Sequence, residues 1–131
     1  MITFKDFILK EHKVTKQELD KLEDVLDKLF SSLSIDIEFT KHFLDRVNDE
    51  RNIKQITISE LEQLFRKEYS KYGSKIVKMN PDSEAVLKDL HTDINVPFAL
   101  HINFKTGLLE LIGKTTIRKK NFKTTNPVLE V

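Results

Sequence analysis

His42, Arg46 and Asp49 stand at i, i+4 and i+7 in the stretch Phe39-Thr-Lys-His-Phe-Leu-Asp-Arg-Val-Asn-Asp-Glu-Arg-Asn52. A helix there carries all three on one face. Beside that stripe runs an apolar one made of Phe39, Phe43, Leu44 and Val47. An imidazole that titrates near neutrality and a guanidinium that grips phosphate through two parallel N–H bonds, one turn apart at the border of a buried surface, suit acid–base or phosphate chemistry. The same spacing also describes a charged amphipathic helix with a satisfied histidine. A second group lies late in the chain, where Lys114, Arg118, Lys119, Lys120 and Lys123 occur with no acid among them. Such a block can contact phosphates, or simply solvate a tail.

Metal-free cleavage of RNA needs a group to deprotonate the 2′-hydroxyl, one to protonate the leaving 5′-oxygen, and cations to hold the phosphorane charge. His42 is suited to the first or second task, and Arg46 to the third through a bidentate contact. Lys114, Arg118 and Lys119 can add charge, and a threonine hydroxyl can donate to a nonbridging oxygen. These residues share a site only if the His42 helix packs across a sheet that ends in residues 114–120. Other chemistries fit poorly. There is no cysteine, and His12, His42, His91 and His101 show no zinc-ligand spacing. A glycine-rich phosphate loop, a Gly-x-Ser-x-Gly elbow and a His-Glu-x-x-His pair are all lacking. Asp45 and Asp49 could face Mg²⁺, but acids at i, i+4 are common on solvated helix faces, so neither a metal nor another cofactor is expected.

The elements that must position these groups can be read from periodicity. Phe4, Phe7 and Ile8 suggest a short amphipathic helix or arm over residues 1–12. Thr15-x-x-Glu18 is a capping box. Leu19, Leu22, Val25, Leu26, Leu29, Phe30 and Leu33 then recur at three and four, predicting a helix over 15–33 that ends at Ser31-Ser-Leu-Ser34. Ile35 to Glu38 alternates and reads as extended, and the His42 helix follows from about Thr40 to Asn52. Thr57-x-x-Glu60 is a second capping box, opening a helix with Leu61, Leu64, Phe65, Tyr69 and Tyr72 on one face and Gly73 as its stop. Beyond residue 74 the period shifts towards two. Lys75 to Met79 reads as the start of a strand, Asn80-Pro-Asp-Ser83 as a turn, and Ala85 to Leu90 as strand or helix. Pro97 to Asn103 and Leu108 to Ile117 flank Phe104-Lys-Thr-Gly107 as a hairpin, with Thr115 on the apolar side of the second strand and Thr116 on the polar one. The tail from Asn121 reads as loop. Helices first and a meandering antiparallel sheet second make the class α+β.

The chain of 131 residues is long enough to bury a core without staples. With 39% hydrophobic and 33% charged residues and only 3 Gly and 3 Pro, it reads as one helix-rich domain. The absence of cysteine suits a reducing compartment. No apolar run approaches the ~20 residues needed to span a bilayer, and Lys5, Asp6, Lys10 and Glu11 interrupt any signal-peptide core. A cytoplasmic protein without membrane contact is the expectation.

His42-x3-Arg46-x4-Arg51-Asn-Ile53, followed by Ile58-Ser-Glu-Leu-x2-Leu-Phe65, resembles the helical half of the barnase–EndoU–colicin–RelE-like nuclease superfamily, phage-encoded and toxin-like members in particular. Leu111-Ile-Gly-Lys-Thr-Thr-Ile-Arg-Lys-Lys-Asn-Phe122 is similar to the last sheet strand of such proteins. The resemblance covers residues 38–123, leaving 1–37 as a helical extension and 124–131 as a tail. It implies N-terminal helices on a four-stranded antiparallel sheet and cleavage or binding of RNA, and a metal-independent endoribonuclease is the expectation. His42, Arg46, Thr115 and Arg118 would be catalytic, and Lys114, Lys119, Lys120 and His101 would bind RNA. The sequence departs from the pattern on strand 97–103, where His101 and Asn103 are the obvious polar residues in place of several Arg and Lys. The alternative is a non-catalytic adaptor whose basic C-terminal segment binds nucleic acid or a host protein. RNA is the expected partner, with an inhibitor or host protein as a further candidate.

Overall fold

The computed structural model describes residues 13–131, so the helix or arm expected over residues 1–12 lies outside the described residues. In chain order the elements are α1 (Lys16–Phe30), β1 (Ile35–Phe39), α2 (Lys41–Val47), α3 (Ile58–Ile76), β2 (Glu84–Lys88), β3 (Ile94–Ile102), β4 (Leu109–Gly113), β5 (Ile117–Arg118) and β6 (Val128–Glu130). Short 3-10 turns occupy Ser31–Leu33 and Glu50–Asn52. The fold is α+β, with helices packed on a sheet, and none of its helices is long and apolar enough to cross a membrane among the described residues.

Both capping boxes form. Thr15 Oγ1 accepts from Glu18 N at 3.1 Å while Glu18 Oε1 accepts from Thr15 N at 3.0 Å. Thr57 and Glu60 repeat the arrangement at the start of α3. Each box satisfies helix-start N–H groups that otherwise lack partners. From these starts Leu19, Leu22, Leu26 and Phe30 of α1, and Leu61, Leu64 and Phe65 of α3, enter one core with Ile35, Ile37, Phe43, Val96, Phe98, Leu100 and Leu111. The segment 16–37 therefore contributes Leu19, Leu22, Leu26, Phe30, Ile35 and Ile37 to the same core as the later elements. Phe39 locks the layers together, stacked on Phe43 with centroids 4.6 Å apart and edge-on to Phe65 at 5.6 Å.

The sheet corrects the expected four antiparallel strands. Among the described residues it has six strands and is mixed, in the order β1-β4-β3-β2-β6 with β5 beside β3. The β2–β3–β4 meander is antiparallel, but β1 runs parallel to β4 and β6 parallel to β2. The tail expected to be loop thus supplies β6, which pairs Val128 to Glu130 with Val86 to Lys88. Further corrections concern residues 73–79. The helix continues through Gly73 to Ile76, so no strand starts at Lys75. Gly73 packs closely on the Ser31–Leu33 turn: a Cβ there would lie 2.8 Å from Leu33 Cδ1, so the leucine side chain would have to shift. Gly107 does have the backbone role read for it, at φ +74 in the β3–β4 turn.

The strand read over 108–117 is broken in two. Pro97 explains where. It lies inside β3, flanked by β2 on one side, and its carbonyl accepts from Lys114 N on the other. A strand residue points its N–H and C=O to the same side, so the N–H that proline lacks is missing on the side of β4 and β5. There the pairing of Phe98 with Gly113 gives way to that of Asn95 with Ile117. Residues 114–116 leave the ladder between these pairs. Thr116, expected on the polar face, is buried with its hydroxyl donating to Asn95 O at 2.8 Å.

Side chains occupy the sheet's open edges. On β1, Ile37 N donates to Asp27 Oδ1 at 2.7 Å and Phe39 N to Glu23 Oε2 at 3.3 Å, both carboxylates coming from α1. On β6, Lys71 Nζ and Tyr72 Oη of α3 both donate to Glu130 O at 2.9 Å.

Candidate functional site

The His42 helix is shorter than expected, ending at Val47, and a 3-10 turn carries the chain on through Asn52. Thr40 caps it by accepting from Phe43 N at 3.0 Å, and the same hydroxyl donates to Lys114 O at 2.9 Å. The cap of α2 is thereby tied to the break between β4 and β5, which meets the packing condition for a shared site. At the other end the buried carboxamide of Asn52 acts as a clip. It donates to Arg46 O at 2.7 Å and Val47 O at 3.2 Å, and accepts from Arg118 N at 2.9 Å. Ile53, immediately after it, is 97% exposed and held at φ 65, a strained position for a β-branched residue.

Between these two ties lies a cavity of about 280 Å³. His42, Arg46 and Asp49 line one wall, and Thr115, Thr116 and Ile117 the wall from the strand break, more than 65 residues later. Arg51, Asn52 and Phe122 complete it. Arg46 Nε donates to His42 Nε2 at 3.2 Å, so that ring nitrogen carries its lone pair, and Arg46 Nη1 pairs with Asp49 Oδ2 at 2.7 Å. Asp49 also receives Arg51 Nη2 at 2.9 Å and Arg51 N at 2.9 Å. One carboxylate thus holds two guanidiniums side by side, with donors left over on both. Two arginines against one acid give the cavity a positive balance.

The sequence-derived residues fall into three groups. His42, Arg46 and Thr115 meet in the cavity. Lys114, Lys119 and Lys120 flank the same segment and are exposed, but Lys114 is paired with Glu84. Arg118 and His101 are placed elsewhere. All five N–H donors of Arg118 are engaged: Nε with Lys54 O (3.2 Å), Nη1 with Thr92 O and Glu60 Oε2 (both 3.0 Å), and Nη2 with Gln55 O (3.0 Å) and Glu60 Oε1 (2.8 Å). No donor is left for a phosphate in this arrangement, so the geometry gives Arg118 a structural role in place of the catalytic one expected of it. His101 is exposed six residues beyond Asn95 on β3, roughly 20 Å along the strand, and its Nδ1 lies 3.7 Å from Asp82 Oδ1. It cannot reach an RNA phosphate held in the cavity. Sequence reasoning assigned no role to Phe122, Asn52 or Arg51 as site residues. Arg51 stands two residues after Asp49, a spacing that a continuous helix would have pointed away.

A second group of titratable side chains surrounds β1. Asp36 and Glu38 approach Glu110 of β4, with one oxygen from each within 4.8 Å of the others. Burial first, then a hydrogen bond to Asp36, pushes Glu38 up to about 7. Burial likewise raises Asp27 to about 6, the Asp36 contact adding to it against the Ile37 N–H bond.

No protein-family model matches the chain, and no curated protein or solved structure matches it either.

Proposed function

We propose that the cavity binds an RNA phosphodiester and that the protein is a metal-independent endoribonuclease. The observation that carries this reading is the convergence of His42 and Arg46 with Thr115 on one cavity, from segments remote in sequence, joined there by Arg51. The phosphate enters between the guanidiniums of Arg46 and Arg51 and competes for Arg46. As the Arg46 Nε bond is given up, His42 Nε2 is freed beside the bound phosphate. It takes the proton of the 2′-hydroxyl as the 2′-oxygen attacks phosphorus. The two arginines and the Thr115 hydroxyl hold the added negative charge. The bond from phosphorus to the 5′-oxygen then breaks, His42 returns the proton to that oxygen, and a 2′,3′-cyclic phosphate is left. The helical half of the nuclease resemblance supports this reading, whereas the mixed sheet departs from the superfamily's antiparallel one, and a shared fold by itself does not carry activity.

A second reading has its own support. Among the described residues lining the cavity, His42 is the one imidazole, and Asp49 is committed to two arginines. The same surface, with exposed Lys119 and Lys120 between Arg118 and Phe122 in the chain, would bind RNA without cutting it.

One experiment separates the two. The folded protein is incubated with several single-stranded RNAs in EDTA, and product ends are analysed alongside a gel-shift assay. Cleavage with cyclic phosphate ends is expected, and His42→Ala and Arg46→Ala should each lose roughly 100-fold or more while keeping the wild-type melting curve. Retained binding without cleavage, weakened by Lys119→Glu with Lys120→Glu and indifferent to His42→Ala, selects the binding reading. Inertness in both assays removes both.

A further inference from the structure

We infer that Phe122 is a stacking platform for one unpaired nucleobase, which makes the cavity a single-nucleotide site with its phosphate between Arg46 and Arg51. The inference rests on the phosphate reading of the cavity and adds the part of the ligand that the arginines do not touch.

Phe122 is half-buried, yet it belongs neither to the hydrophobic core nor to the partly buried residues packed against it. The other phenylalanine rings among the described residues are accounted for. Phe30, Phe39, Phe43 and Phe65 are buried or packed in ring pairs, Phe98 is buried in the core, and Phe104 is exposed in the β3–β4 turn. Phe122 instead lines the cavity that holds His42, Arg46 and Arg51. An aromatic ring beside a pair of guanidiniums is the combination that single-stranded nucleic acids use, charge taking the backbone and the ring taking a base. Nearby backbone is fixed, with Lys119 N donating to Asp93 O at 2.9 Å and Lys120 O accepting from Lys88 Nζ at 3.0 Å.

Size and hydrogen bonding narrow the ligand. A volume of about 280 Å³ lies just below the roughly 300–1,000 Å³ of small-molecule sites, a scale that suits one nucleotide and not a duplex. A paired base is hidden inside its helix, so only an unpaired one can reach the ring. Of the uncharged polar groups that could read a base edge, Asn52 is spent on Arg46 O, Val47 O and Arg118 N, Thr116 on Asn95 O, and Thr115 is given to the phosphate in the reading above. Stacking without edge readout tolerates any base and favours the larger purine surface.

The test compares adenosine 5′-monophosphate, uridine 5′-monophosphate and ribose 5-phosphate by calorimetry on the whole protein. The adenosine nucleotide is expected to bind about tenfold tighter than ribose 5-phosphate, with uridine between them. Phe122→Leu should erase that advantage, Phe122→Tyr should keep it, and Arg46→Ala should weaken all three ligands alike. Equal binding of nucleotide and sugar phosphate, an advantage that survives Phe122→Leu, or no binding of any ligand overturns the base subsite. Where Phe122→Leu is not folded by its melting curve, the wild-type comparison and Phe122→Tyr decide. The phosphate reading is judged separately, since Arg46-dependent cleavage or binding of RNA would stand even with the base subsite overturned.

Discussion

Arg118→Ala is expected to destabilise the fold by about 4 kcal/mol, seen as a lower midpoint in chemical denaturation. The reasons are local. Arg118 is 12% and Glu60 19% exposed, so removing the guanidinium strands a largely buried carboxylate, and Lys54 O, Gln55 O and Thr92 O lose a donor as well. Burial alone would raise the Glu60 carboxyl, but its bonds to Arg118 and Thr57 prevail and hold it below its ordinary value. A depressed acid contributes stability that is complete above its unfolded value and lost as pH falls through the folded one. The pair therefore supports the fold at neutral pH and fails only in acid. Arg118→Lys should recover part of the loss, because one ammonium cannot meet two carboxylate oxygens and three carbonyls. An Arg118→Ala protein with an unchanged midpoint and lost RNA cleavage would return this residue to the catalytic role expected from its sequence context.

The second large effect has the opposite pH dependence. Glu68 of α3 is fully buried, neither of its carboxylate oxygens has a hydrogen-bond partner among the described residues, and burial pushes it up to about 8. The native state binds this proton more tightly than the unfolded chain. Stability is then full below the unfolded value near 4.5 and falls as pH rises towards 8. The loss between about pH 5 and about pH 8 is on the order of 3 kcal/mol. Glu68→Gln keeps the shape and removes the titration, so it should stabilise the protein by on the order of 3 kcal/mol at about pH 8 and by little at about pH 4. Asp27 and Glu38, both raised by burial, act in the same direction from their more exposed positions. Thermal melts across the range should show greatest stability in mild acid. A Glu68→Gln variant with the wild-type slope, or one less stable at alkaline pH, would refute this account.

Much of the helical layer was legible. Thr15-x-x-Glu18 and Thr57-x-x-Glu60 marked both long helices because capping is local chemistry written within four residues. The meeting of His42 and Arg46 with residues 114–120 was legible as a condition, and Asp49 as a residue on their face. Sheet order was not. The parallel pairs join Ile35 to Leu109 and Val86 to Val128, and no local pattern announces a partner so far away. Arg118 looked like a member of a basic run because residue type does not reveal which acid folding will bring, and Glu60 is remote in sequence. Pro97 was the neglected clue. A proline within an apolar strand signals a defect in the ladder, and that defect is what turns Thr115 towards the cavity.

The side chains on the sheet's borders have a consequence for assembly. Asp27 and Glu23 occupy the amides of β1, Lys71 and Tyr72 a carbonyl of β6, and Asn52 the amide of Arg118 on β5. A foreign strand that tried to extend the sheet would have to displace these bonds at the border it chose. The protein is thereby guarded against fibre-like stacking and against capture of extended peptides. Its associations are steered to side-chain surfaces, such as the cavity lined by Arg46 and Arg51.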